Sequence, residues 1–141
     1  MKALSVSQIG LLCKKYNINL NGYYNRDNVK LNNMGWYMLN LDRSDGKGTH
    51  WCTFYYSPHL KLYFDSFGFQ PPELLEELFQ HNYYYNTSKI QSLKSSSCGW
   101  FCLLCIKYCE ENGNTLQAFQ QFLQLFKRPE YNEQLLNEYF K

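Results

Sequence analysis

The stretch CGWFCLLCIKYCEEN, residues 98–112, dictates most of what this chain can become. Its spacing predicts a helix that is apolar nearly all round and stops at Gly113. A helix without a polar face has to be enclosed, so the other elements must cover it on every side. SVSQIGLLCKKYN has helical spacing at Ile9, Leu12 and Cys13 behind a serine cap. The turn-rich segment 17–33 predicts a loop with one short element. GWYMLNL (35–41), HWCTFYY (50–56) and KLYFDSF (61–67) have strand composition, and SPHL joins the last two as an antiparallel hairpin. The Gly/Asp-rich stretch 42–49 is a connection. PPELLEELFQHN (71–82) opens with proline and early acids, as helices do. YYYNTSKIQSL (83–93) predicts a further strand, and TLQAFQQFLQLFK and PEYNEQLLNEYF predict two amphipathic helices. With no repeat and no linker, residues 1–141 are expected to form one α+β domain of a few mixed strands with helices packed on both sides.

Charge excludes little and favours little. Fourteen basic against 12 acidic residues leave +2, too slight to argue for nucleic acid, so any DNA affinity is expected to be weak. There is no run of about 18 apolar residues for a membrane span. The N-terminal stretch lacks a signal-peptide cleavage pattern, so the six cysteines are expected to be reduced thiols of a protein that is not secreted.

Four of those cysteines, Cys98, Cys102, Cys105 and Cys109, form one helical stripe. At a rise of ~1.5 Å per residue the stripe spans about 16 Å. Four thiolates so spread cannot surround one Zn²⁺ with bonds of ~2.3 Å, so no metal site is expected there. The Cys102–Cys105 pair lies within the helix instead of at its start, which argues against a redox motif. Burial accounts best for Cys102, Cys105 and Cys109. Cys98 is open to two readings. Free N–H groups and the helix dipole at a helix start favour a thiolate, and Gly99 beside it would admit a substrate backbone. A small buried residue opening a core helix looks the same.

A cysteine nucleophile needs a base and a group to orient it. His59 falls in the hairpin turn and His81 in a polar connection, both on the expected surface. His50 instead begins a strand. A turn about Pro58–His59 sets Cys52 opposite Asp65 and His50 opposite Phe67, so His50 and Asp65 share a face as diagonal neighbours. One residue more or less in the turn would reverse this. Asp65 is equally a strand-end residue opening the DSFG turn.

The order His50, Asp65, Gln91, Cys98 resembles the adenovirus-protease-like cysteine proteases, of the same clan as the SUMO-specific proteases. The matching segments are GTHW (48–51), YFDSFGF (63–69), Gln91 and CGWFC (98–102), within roughly residues 20–110. NLDRSDGKGTHW (40–51) and GYYNRDNV (22–29) are similar to the versions in virophages, large DNA viruses and related virus-like transposons. The resemblance implies a papain-like-clan core, a small mixed sheet between helices with the nucleophile at the N-terminus of a central buried helix. It implies a viral maturation endopeptidase that cuts capsid and other precursor proteins next to glycine. Cys98 would attack the scissile carbonyl, His50 act as base and then acid, and Asp65 hold the imidazole. Gln91 and the Cys98 N–H would form the oxyanion hole. Trp51 would narrow the cleft beside His50, or else be a core aromatic.

The adenovirus enzyme uses a disulfide-tethered peptide and DNA as activators. No tethering cysteine can be placed on this chain, so that activation does not transfer; no metal or cofactor is expected, and an activating peptide or DNA stays open. The expected partners are precursor substrates and no membrane, the chain being a monomer in virions and host-cell virus factories. The same chemistry in an isopeptidase for ubiquitin-like modifiers is the main alternative. An acyltransferase would need an acyl-CoA pocket for which there is little length, and a scaffold has no use for all four residues.

Overall fold

The computed structural model describes residues 1–46, 50–92 and 94–141. Among these residues ten elements follow one another: α1 (Val6–Lys15), β1 (Gly22–Asn25), β2 (Gly35–Asn40), β3 (Trp51–Tyr56), β4 (Lys61–Phe64), α2 (Glu73–Leu78), β5 (Tyr84–Tyr85), α3 (Cys98–Glu111), α4 (Leu116–Gln124) and α5 (Pro129–Tyr139). The strands form one mixed sheet in sequence order. β2, β3 and β4 are antiparallel neighbours, while β1 and β5 join the edges in parallel.

Strand residues alternate between two faces, and here both faces are covered. Trp36, Met38, Tyr55, Leu62 and Phe64 meet the residues of α3, with α1, α4 and α5 around them. Tyr37, Leu39, Phe54 and Tyr63 point the other way and pack on Leu75 and Phe79 at α2. This double covering explains the nearly unbroken apolar runs of β2 and β3.

α3 meets the expectation of an enclosed helix. Cys98, Gly99, Phe101 to Ile106 and Cys109 are all buried, and the chain turns off it at Gly113 with φ of 88°. Because Leu103 has no exposed surface, Leu103→Ala is expected to lower unfolding free energy by about 2–5 kcal/mol in a denaturant titration.

Three sequence expectations shift. The short element in 17–33 is an edge strand, β1, in parallel with β2. α2 covers only six residues of 71–82, because Gln80 and His81 take positive φ of 56° and 57°. Among the described residues of 83–93, only Tyr84–Tyr85 is strand. Beyond it the backbone is claimed by other partners: the buried Asn86 amide brackets Asp65, and the Ile90 and Gln91 N–H groups both donate to the Ser66 carbonyl. Gln91 therefore sits in irregular chain.

Candidate active site

Cys98 is the first residue of α3. A serine cap would occupy the first-turn N–H groups, but Ser97 makes no such bond. Its hydroxyl turns to Glu133 and to the Met1 carbonyl, and Ser95 also reaches Glu133, at 2.9 Å. The helix start is thereby left to the sulfur. Cys98 Sγ lies 3.4 Å from the Trp51 N–H and accepts from the Gly99 N–H and the His50 ring. Burial works against its thiolate, yet the His50 bond and these backbone donors outweigh it, and the thiol pKa is lowered.

His50 lies immediately before β3 and Asp65 immediately after β4. The ladder pairs Thr53 with Phe64 and Tyr56 with Lys61, the register expected from a turn at Pro58–His59. Continued by one pair it sets Cys52 opposite Asp65. His50 Nε2 is 2.8 Å from Asp65 Oδ1. The ring stacks on Phe67, with centroids 4.8 Å apart. Burial opposes the imidazolium, but hydrogen bonds to Asp65, Cys52 and Cys98 prevail and push its pKa up to about 12. One histidine pushed up and one thiol pushed down, in contact, are the electrostatic setting of an ion pair.

Asp65 both faces His50 and opens the DSFG turn. It has no exposed surface, and its Oδ1 accepts from the Phe67 N–H at 2.9 Å while facing His50. Its carbonyl accepts from Gly68, whose φ is 80°; a side chain on Gly68 would meet the Thr87 carbonyl at 2.9 Å. The DSFG turn thus needs its glycine and aims the carboxylate.

Gln91 is buried and fixed at both ends. Its Oε1 accepts from Ser66 and its Nε2 donates to the Ser95 carbonyl, 2.8 Å away, in the loop leading into Cys98. Trp51 is 6 % exposed, so it is largely a core residue. Its Nε1 donates to the Leu4 carbonyl, Tyr23 packs edge-on against it, and its margin lines a cavity of about 360 Å³ with Leu4, Tyr23 and Asn40. His59 and His81 are exposed, as expected. Gly48 and Thr49 of the GTHW segment lie outside the described residues.

Two features escaped the sequence reading. The space beside Gly99 is taken by Leu4, whose Cδ1 lies 3.1 Å from where a Cβ would stand, so Gly99 accommodates this chain's own leucine. Cys52, read only as a strand residue opposite Asp65, contributes a thiol to the same cluster. One donor atom each from His50, Cys52 and Asp65 lie within 4.8 Å of one another. Alternation along β3 carried the signal, since residues 50 and 52 share a face.

Among the described residues, a five-stranded mixed sheet with five helices and a cysteine opening the most deeply enclosed helix make an α+β fold. A solved structure with this fold is that of ASFV pS273R protease, in its selenomethionine form. It is similar to this chain with a TM-score of 0.54 and 16 % identity, over 99 % of this chain and 68 % of that one. At that identity the likeness concerns the fold. No protein-family model and no curated protein matches the chain.

Proposed function

We propose that this chain is a cysteine endopeptidase that cuts viral precursor and capsid proteins beside glycine. The observation that carries the reading is a single imidazole bonded both to a buried carboxylate and to a thiol at an uncapped helix start. With Nε2 held by Asp65, Nδ1 remains to take the Cys98 proton. The thiolate attacks the scissile carbonyl carbon, and the carbonyl electron pair moves onto oxygen. When the tetrahedral intermediate collapses, His50 returns the proton to the leaving amine and a thioester stays on Cys98. Water, deprotonated by His50, then releases the acyl group.

The developing oxyanion needs preorganised donors. The Cys98 N–H at the head of α3 is one. Gln91 Nε2 has two hydrogens, and with one on Ser95 the other is left for this task. A donor of this kind is typically worth about 2.7–4 kcal/mol of barrier. Trp51, held by Leu4 and Tyr23, would narrow the cleft and favour a residue without a side chain near the cut. The site residues are bonded to one another within the chain itself, which supports action without a peptide or DNA activator. The fold shared with a viral protease supports precursor proteins in virions and virus factories as the substrates, with the chain working as a monomer.

Competitive iodoacetamide labelling, mapped by mass spectrometry, tests the site. Cys98 has its pKa lowered by His50 and backbone donors, whereas burial and Glu110 raise that of Cys13. Thiolate is the reactive form, so lowering pH should silence Cys13 first. Cys98 is expected to retain its rate below the ordinary thiol range, and His50→Ala should abolish that advantage. Equal rates at Cys98 and Cys13 at every pH would defeat the proposal. Covalent capture by a ubiquitin-type probe, with no cleavage of glycine-containing precursors, would assign the chain to the isopeptidases instead.

A further inference from the structure

The proposed mechanism uses one side of the His50 cluster and leaves the other unexplained. Cys52 lies beside the His50–Asp65 pair, fully buried, with its thiol hydrogen-bonded to the imidazole. Catalysis as derived above gives it nothing to do. Asp65 has a second loose end. Oδ1 serves His50 and the Phe67 N–H, but Oδ2 is buried and has no hydrogen-bond partner among the described residues. A buried carboxylate oxygen without a donor is an uncommon arrangement that calls for a cause.

We propose that His50, Cys52 and Asp65 form a three-donor site for a thiophilic divalent cation, with Zn²⁺ as the best-matched ion, and that its occupancy switches off the thiol chemistry. Only the inhibitory consequence rests on the protease reading; the site itself does not. The donor set is nitrogen, sulfur and oxygen, which suits Zn²⁺ and is wrong for Ca²⁺ or Mg²⁺, whose ligands are oxygens. Tetrahedral bonds of about 2.0–2.3 Å set neighbouring donors roughly 3.3–3.8 Å apart. The three donor atoms lie within 4.8 Å of one another, so small side-chain rotations close the gap. A fourth position stays open for water.

The ion would bind the neutral imidazole through the nitrogen that now faces Asp65, and the Cys52 thiol would release its proton on ligation. The other ring nitrogen then carries the remaining imidazole proton. It can donate to Cys98 but can no longer accept from it, so the nucleophile loses its base. The ring edge, with the His50 side chain 13 % exposed, is the route of entry. Phe67, half-buried and stacked on the ring, must tilt to admit the ion.

The test is a titration of the reduced full chain with Co²⁺, read by thiolate-to-cobalt charge-transfer absorption, followed by competition with Zn²⁺. Wild type and Cys98→Ala are expected to give the band at one ion per chain. Cys52→Ala should lose the band and bind Zn²⁺ about tenfold or more weakly, and Asp65→Asn should keep the band with a similar loss of affinity. No band in wild type, a band that survives Cys52→Ala, or one that disappears in Cys98→Ala overturns the proposal. If circular dichroism shows Cys52→Ala unfolded, Asp65→Asn decides alone: unchanged Zn²⁺ affinity overturns the site. Proteolysis is not scored anywhere in this experiment, so its failure and that of the protease reading are separable.

Discussion

Replacing Cys98 by alanine is expected to lower cleavage of a glycine-containing precursor by about 10⁵–10⁶-fold, the scale on which losing a catalytic nucleophile acts. No other thiol can take over. Cys102, one turn further along α3, is fully buried with its pKa pushed well up by that burial. Cys52 is also buried, and despite its bond to His50 its pKa is pushed up to about 11. Both are protonated at neutral pH, whereas Cys98 is the thiol whose pKa the site lowers. The substitution removes one sulfur from a helix start whose preceding loop is held by Ser95 and Ser97 bonding to Glu133, so folding should survive. Circular dichroism alongside a discontinuous cleavage assay reads both. Cleavage within tenfold of wild type would move the nucleophile elsewhere, with Cys52 the first candidate as the second thiol on the same ring.

Asp65→Asn is expected to cost about 10⁴-fold in turnover while leaving the fold intact, the size of effect seen when a catalytic imidazole loses its anionic partner. Asparagine matches aspartate in shape, and the turn that holds it is built from main chain. The Asn86 amide binds the N–H and carbonyl of residue 65, and Gly68 donates to that carbonyl. None of these bonds needs the carboxylate. His50 does. Its bond to Asp65 leads the interactions that overcome the burial cost of the imidazolium. With a neutral partner the ring becomes harder to protonate, the Cys98 thiolate loses its counterion, and alkylation of Cys98 should slow in parallel with cleavage. An unchanged alkylation rate with lost cleavage would assign Asp65 to substrate binding instead of to His50.

The parts of this site that sequence made legible rest on strict periodicities. A four-residue hairpin turn sets parity along two strands, and at that length His50, Cys52, Asp65 and Phe67 fall at one end of one face. The apolar helix 98–111 had to be central because nothing else could satisfy it. Gln91 was not legible from local pattern. Its segment has strand composition, yet its backbone bonds go to Ser66 and its position depends on a buried Asn86 that pairs with the DSFG turn. Leu4 was illegible for a similar reason. It reaches Gly99 and Trp51 across 95 and 47 residues of sequence, and no periodicity links such distant positions. Cys52 was legible in register, but a triad with one nucleophile has no place for a second thiol.

The turn at the far end of the β3–β4 hairpin offers an experimental handle. Pro58 and His59 are exposed, and the turn closes through the Ser57 and Leu60 backbones and the Ser57 hydroxyl. At ~3.3 Å per strand residue, this tip stands roughly 25 Å from His50. A fluorophore placed on a cysteine substituted for His59 would therefore report tumbling and assembly from outside the cleft. Grafting extra residues into the same tip carries a different hazard. A ladder that slipped by one residue would keep every strand apolar and every helix covered, since both faces are buried. It would turn His50 away from Asp65, giving a well-folded molecule with no chemistry.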